Sequence, residues 1–188
     1  MIWMYNMDAL SDKDRVQLMN VLNGLNEPWR QLSPGDLLLT VQEILDNGQG
    51  QLNKEPDDAP DVPFMLMDLD DPLLDQLLAG LRDREIDLPY KAMVTDNNRT
   101  YLLGDLVRHI QEEDREVRAL VKLQRLMKGT TAFEEKDYDA ASWQAFQAVY
   151  QEAEDALQRA KTGDMTPDEA EAILKKFNMS VLNLIGQA

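Results

Sequence analysis

Apolar and polar residues alternate along the first 114 positions in a repeating order of strand, helix, strand and helix. "IWMYNM" (2–7) is a short apolar run of strand length, and Ser11-Asp12-Lys13-Asp14 then has the form of a helix start with Ser11 as cap. Val16, Leu18, Met19, Val21, Leu22 and Leu25 follow at helical spacing. "PWRQL" (28–32) predicts a second strand. Ser33-Pro34 predicts a helix through Leu37, Leu38, Val41, Ile44 and Leu45. The order then recurs. "PFMLMDL" (63–69) predicts strand three, and a helix from Asp71 carries Leu73, Leu74, Leu77, Leu78 and Leu81. "PYKAMV" (89–94) predicts strand four. A further helix, opening near Arg99, carries Leu102, Leu103, Leu106, Val107 and Ile110.

Letters recur with the order. Pro28-Trp29-Arg30 matches Pro89-Tyr90-Lys91, "LMNVLNGL" (18–25) matches "LDQLLAGL" (74–81), and "GDLLLTVQE" (35–43) matches "GDLVRHIQE" (104–112). The reading is an internal duplication of a βαβα unit; the plain alternative is amphipathic helices that share leucines. The fold class expected for residues 1–114 is α/β, with duplicated βαβα units forming a small, mainly parallel four-stranded sheet. Between the halves, residues 46–62 are polar and rich in Gly and Pro, so a mobile loop is expected there. From residue 115 to 188 the pattern is helical throughout. Thr166-Pro167-Asp168-Glu169 is a strong helix start, and Gly163 ends the helix before it. These features predict a three-helix bundle.

Composition narrows the chemistry. The 188 residues contain no cysteine, which removes thiol catalysis, disulfides and cysteine-ligated metals. A formal charge of −16 opposes binding to nucleic acid and to anionic membranes. No apolar window reaches the ~20 residues of a membrane helix, and the start "MIWMYNMDAL" lacks the pattern of a signal peptide. A cytoplasmic protein is the expectation.

Candidate chemistry is sparse. The single histidine, His109, cannot build a histidine-rich metal site. If all strands run parallel in the order 2-1-3-4, the loops after strands one and three meet at a switch point. Asp8, Asp68 and Asp70 would then face one another in a crevice able to hold Mg²⁺, with Asn6, Thr95, Asn97 and Asn98 as polar walls. The plain readings are that Asp70 or Asp71 caps a helix and that Thr95-Asp96-Asn97-Asn98 is a turn. Arg115, Arg118, Lys122, Arg125 and Lys128 form a basic helical stripe. It is either a docking face for a protein partner or another copy of the chain, or a set of residues paired internally.

Three resemblances add to this. "LPYKAMVTDNNRTYLLGDLVRHIQEED" (88–114) resembles the signature of an uncharacterised bacterial family known only as a domain of unknown function. Lys91-Ala92-Met93-Val94-Thr95, Asn98, Tyr101 and Leu103 to Glu113 carry the likeness, and the family commonly has Trp where Tyr101 stands. It implies a small α/β domain over roughly residues 1–114 and no particular activity. Tyr138, Ser142-Trp143, Phe146, Ala153, Thr166, Glu169 and the apolar ladder to Leu184 are similar to the FIVAR module, which implies a three-helix spacer or binding repeat. "FMLMDLDDPL" (64–73) is similar to the D-x-D start of haloacid-dehalogenase-type phosphatases, with Thr95 as a later strand-end residue. That family wants Thr or Val at the position of Pro72, and no strand bearing its lysine and second acid pair follows Thr95. The first expectation is therefore a non-enzymatic interaction or regulatory protein. The alternative is a Mg²⁺-dependent phosphohydrolase-like enzyme.

Overall fold

A computed structural model describes residues 1–51, 54 and 56–186. The chain divides into two compact units, Met1–Ile110 and Gln111–Ala188.

The first unit is built on four strands, β1 (Ile2–Tyr5), β2 (Trp29–Leu32), β3 (Phe64–Met67) and β4 (Tyr90–Met93), in the spatial order β2-β1-β3-β4. Every residue of β1 and β3 is buried, as continuous apolar runs in central strands require. Ile2, Met4, Met65 and Met67 face one core, shared with α1 (Asp12–Gly24) and α3 (Asp71–Asp83). Trp3, Tyr5, Phe64 and Leu66 face a second core, shared with α2 (Val41–Leu45) and the first turns of α4 (Leu103–Gly129). Burial of each such side chain contributes about 1.5–3 kcal/mol. On α1, Ser11 caps the Asp14 N–H at 3.1 Å, and Leu18, Val21 and Leu22 are buried. On α3, Leu77 and Leu81 are buried, and Gly80 lets Val21 of α1 approach: a Cβ there would lie 3.0 Å from Val21 Cγ1.

Two of the three strand pairings are parallel, as expected of a mainly parallel sheet, and one departs from the all-parallel arrangement on which the crevice is conditioned. β1 and β2 run parallel, as do β3 and β4, whereas β1 and β3 pair antiparallel with Ile2 opposite Met67 and Tyr5 opposite Phe64. The sheet is therefore mixed, and the ends of β1 and β3 lie at opposite edges of it.

The helix expected over Ser33–Leu45 is interrupted. A 3-10 turn covers Pro34–Leu38, the chain extends at Leu39, and α2 begins afresh because Thr40 caps it, accepting the Glu43 N–H at 3.2 Å. Likewise, Arg99 lies in a turn, and α4 starts four residues later. The loop expected to be mobile is tethered in its described part. Arg30 donates twice to the Gly48 carbonyl at 3.1 Å, and Arg108 pairs with Asp58 at 3.1 Å. Residues 52, 53 and 55 of that loop lie outside the described residues.

The two halves of this unit have matching order and spacing. β3, α3, β4 and α4 begin 62, 59, 61 and 62 residues after β1, α1, β2 and α2. Around the antiparallel bridge between Thr40 and Leu102, Leu103 N–H donates to Leu39 O at 2.8 Å and Val41 N–H donates to Tyr101 O at 3.0 Å. This reciprocal pair, with the antiparallel β1–β3 contact, has the form of a two-fold relation. The letter matches do not follow it. Trp29 and Tyr90 pack into different cores, and Gly35-Asp36 lies in the 3-10 turn while Gly104-Asp105 lies in α4.

In the second unit the remainder of α4, α5 (Ala140–Lys161) and α6 (Pro167–Ile185) enclose Leu123, Met127, Phe146, Ala153, Phe177 and Leu184. Thr130 Oγ1 donates to Met127 O at 2.8 Å at the end of α4. α5 starts after Asp139, which accepts the Ala141 and Ser142 N–H groups at 3.0 Å. Gly163 ends the α5 turn in the left-handed region at φ 71°, where a side chain would be strained. Thr166 and Glu169 form the capping box of α6. Trp143 stacks on Tyr138 at 5.9 Å and tilts against Phe146 at 5.6 Å, so these aromatics serve the core.

Candidate functional site

The antiparallel β1–β3 contact separates the residues proposed to share a crevice. At one sheet edge, Asn6 donates from Nδ2 to Asp61 at 3.1 Å, and Asp8 pairs with Arg15 at 2.7 Å. Arg15 also holds Asp12 at 2.6 Å. At the other edge, the Asp68 N–H donates to Met1 O at 2.9 Å, and its carbonyl accepts from the Met1 amino group at 2.7 Å. Asp70 caps α3 by accepting the Leu73 N–H at 3.1 Å. The crevice joining Asp8 to Asp68 and Asp70 therefore does not form. Among the described residues, no group of three or more His, Asp or Glu side chains is placed to hold a metal ion. The donor set considered for Mg²⁺ is thus split between two edges: Asp8 is held by Arg15 on one, and Asp70 caps α3 while Asp68 bonds Met1 through its main chain on the other.

Thr95, Asn97 and Asn98 share the Asp68 edge because β4 runs parallel to β3. Thr95 N–H donates to Asn98 Oδ1 at 2.9 Å, Asn98 N–H donates to Thr95 Oγ1 at 3.3 Å, and Asn98 Nδ2 donates to Met93 O at 2.9 Å. This is turn chemistry that folds the chain back on the end of β4, with Asn97 exposed at its tip. At the opposite end of β4, Lys91 donates to Leu88 O. Partial burial pushes its ammonium below the usual lysine range, and Asp87 opposes that shift. A lysine on an edge strand also discourages strand-to-strand aggregation.

The most enclosed polar node in the first unit is one the sequence reading missed. Asp36 is only 5% exposed. Its Oδ2 accepts the Ser33 N–H at 2.7 Å and the Ser33 hydroxyl at 2.9 Å, and its Oδ1 accepts the Gly50 N–H at 2.7 Å. Arg30 stands 3.9 Å away. The Ser33-x-x-Asp36 spacing is a capping signal legible in the sequence. The bond to Gly50 has no local signal. The node joins a loop to the sheet and presents no open carboxylate for chemistry.

In the second unit the basic stripe is used in two ways. Arg115 is paired internally, donating to Glu171 at 3.0 and 3.1 Å and to Asp168 at 2.9 Å. Its guanidinium holds the Glu171 carboxyl below the usual carboxylate range. Arg118 pairs with Asp114 at 2.7 Å. Lys122 and Arg125 instead border a groove of about 510 Å³ between α4 and α6, whose lining includes Leu126, Leu174 and Lys175. Among the described residues neither Arg125 nor Lys175 forms an ion pair. His109 is exposed on α4.

No helix among the described residues is long and apolar enough to cross a membrane. No curated protein and no solved structure matches the chain. A family model does match part of it, over the segment that includes β3, α3, β4 and the first half of α4. Residues 63–117 match the model of a domain of unknown function, DUF3783, which covers the Lys91-to-Glu113 pattern but not residues 1–62.

Proposed function

We propose that this chain is a protein-interaction or regulatory protein with no catalytic chemistry of its own, acting in the cytoplasm. The observation that carries this reading is the contrast between the strand-end acids and the helical unit. Asp8 is held by Arg15, Asp70 caps a helix, and the two sit at opposite sheet edges. By contrast, Val117 and Val121 of α4 and Met179, Leu182 and Ile185 of α6 are large apolar side chains about half exposed. These side chains support contact between the helical unit and another protein. The FIVAR-like pattern of Tyr138, Trp143, Phe146 and Glu169 supports a binding or spacer role for that unit. In this reading the first unit is a fused pair of βαβα units, the second of which is the part assigned to the family.

Thermal melting with and without millimolar Mg²⁺, on the wild type and on Asp68→Asn, tests the absence of metal chemistry. A ligand that binds only the folded state raises the melting temperature by mass action. No shift is expected in either protein. A clear rise in the wild type, lost in the variant, would overturn the reading and restore a Mg²⁺-dependent phosphohydrolase built on Asp68 and Asp70.

A further inference from the structure

We propose that the groove between α4 and α6 binds an acidic, amphipathic helical segment of a partner protein. The inference rests on the interaction reading above and names its ligand. Leu126 and Leu174, which also pack against the bundle core, give the groove an apolar floor. Lys122 and Arg125 stand on its α4 side and Lys175 on its α6 side. The one carboxylate among the lining residues, Glu171, is already held by Arg115 through two hydrogen bonds. The rim is therefore cationic in a chain with 35 acidic residues against 19 basic ones. Such a local reversal of sign selects an acidic ligand.

The dimensions favour a short helix. On α6 the lining runs from Glu171 to Asn178, about 10 Å at the helical rise per residue, or two turns. Two turns of a docked helix offer apolar anchors at adjacent-turn positions for Leu126 and Leu174, with acidic residues beside them to meet Lys122, Arg125 and Lys175. A single-stranded nucleic acid fits less well, because no aromatic side chain lines the groove to stack a base. The neighbouring grooves between α5 and α6 are less suited: Lys176 there is paired with Glu152, and Arg159 with Glu169.

The test uses the full chain and a labelled synthetic peptide of about fifteen residues, with leucines at adjacent-turn spacing and Glu or Asp between them. Fluorescence anisotropy is expected to show saturable binding that weakens as salt is raised. The doubly reversed variant Lys122→Glu/Arg125→Glu is expected to bind roughly tenfold more weakly or worse. A control peptide with Lys in place of the acids is expected not to bind. Circular dichroism establishes that the variant is folded, and Lys175→Glu supplies a second, independent reversal on the other wall. No saturable binding, equal binding of the lysine control, or binding unchanged by both reversals would overturn the proposal. So would sedimentation showing self-association that the reversals abolish, since the occupant would then be a second copy. A Mg²⁺-dependent shift in melting would instead strike the underlying interaction reading, so the two failures are distinguishable.

Discussion

The Asp36 carboxylate accepts the Gly50 main-chain N–H at 2.7 Å, fastening a loop to the segment that follows β2. The same carboxylate takes two hydrogen bonds from Ser33, so three donors converge on one buried group. Asp36→Asn keeps the size and replaces one acceptor by a donor. Whichever way the amide turns, its NH₂ faces the donors of Ser33 or the N–H of Gly50. Loss of about 1–3 kcal/mol of stability is expected, the cost of leaving a buried donor unsatisfied. Urea unfolding measures it, and a midpoint equal to wild type would show that the node carries no weight.

Gly50 and Gly35 cross at backbone contact. A Cβ on Gly50 would lie 2.1 Å from the Gly35 carbonyl oxygen, which cannot move aside as a flexible side chain can. Gly50→Ala is therefore expected to destabilise by about 1–3 kcal/mol or to release the loop. Gly24 is the control: nothing lies within 4 Å of its added Cβ, and it closes α1. Gly24→Ala is expected to be neutral or slightly stabilising. Limited proteolysis of the three proteins should cut Gly50→Ala first, within the 46–62 loop. Equal cutting rates would refute the tether.

These contacts show where sequence is informative. The apolar runs Ile2–Tyr5 and Phe64–Met67 read directly as strands, and their lack of polar alternation fits strands covered on both faces. The same uniformity hides strand direction. With every position apolar, either sense of pairing buries the same residues, and the crevice at Asp8, Asp68 and Asp70 depended on that sense. Helix starts at Ser11 and Thr166 were legible because caps act within three residues. Partners far along the chain were not. Asp36 reaches Gly50 fourteen residues on, and Arg115 reaches Glu171 at a separation of 56.

Acid should loosen the second unit through Glu169. Its carboxyl is held below the usual carboxylate range, first by the Thr166 main-chain N–H and next by the Arg159 guanidinium. The folded state thus binds this proton less readily than the unfolded chain. The stabilisation is complete above the unfolded pKa and is lost as pH falls through the folded one. In melting curves between about pH 6 and pH 3, Glu169→Gln should differ from wild type mainly at the upper end, with the gap closing toward acid. A gap that stays constant would mean that Glu169 titrates alike in both states.

The fused-pair reading predicts how the family segment behaves alone. All four residues of β3 are buried, and one side of that strand is covered by β1. Residues 63–117 without the first half would leave that side unpaired, and an open apolar edge recruits another strand. The antiparallel β1–β3 contact and the reciprocal bonds around Thr40 and Leu102 show which partner fits. A second copy of the segment can take the place of the first half, with β3 pairing antiparallel to β3. Sedimentation of the isolated segment should therefore show a folded dimer whose secondary structure is lost on dilution. A folded monomer, or a segment unfolded at every concentration, would mean that the first half supplies something its counterpart cannot, and the likeness of the halves would be one of topology alone.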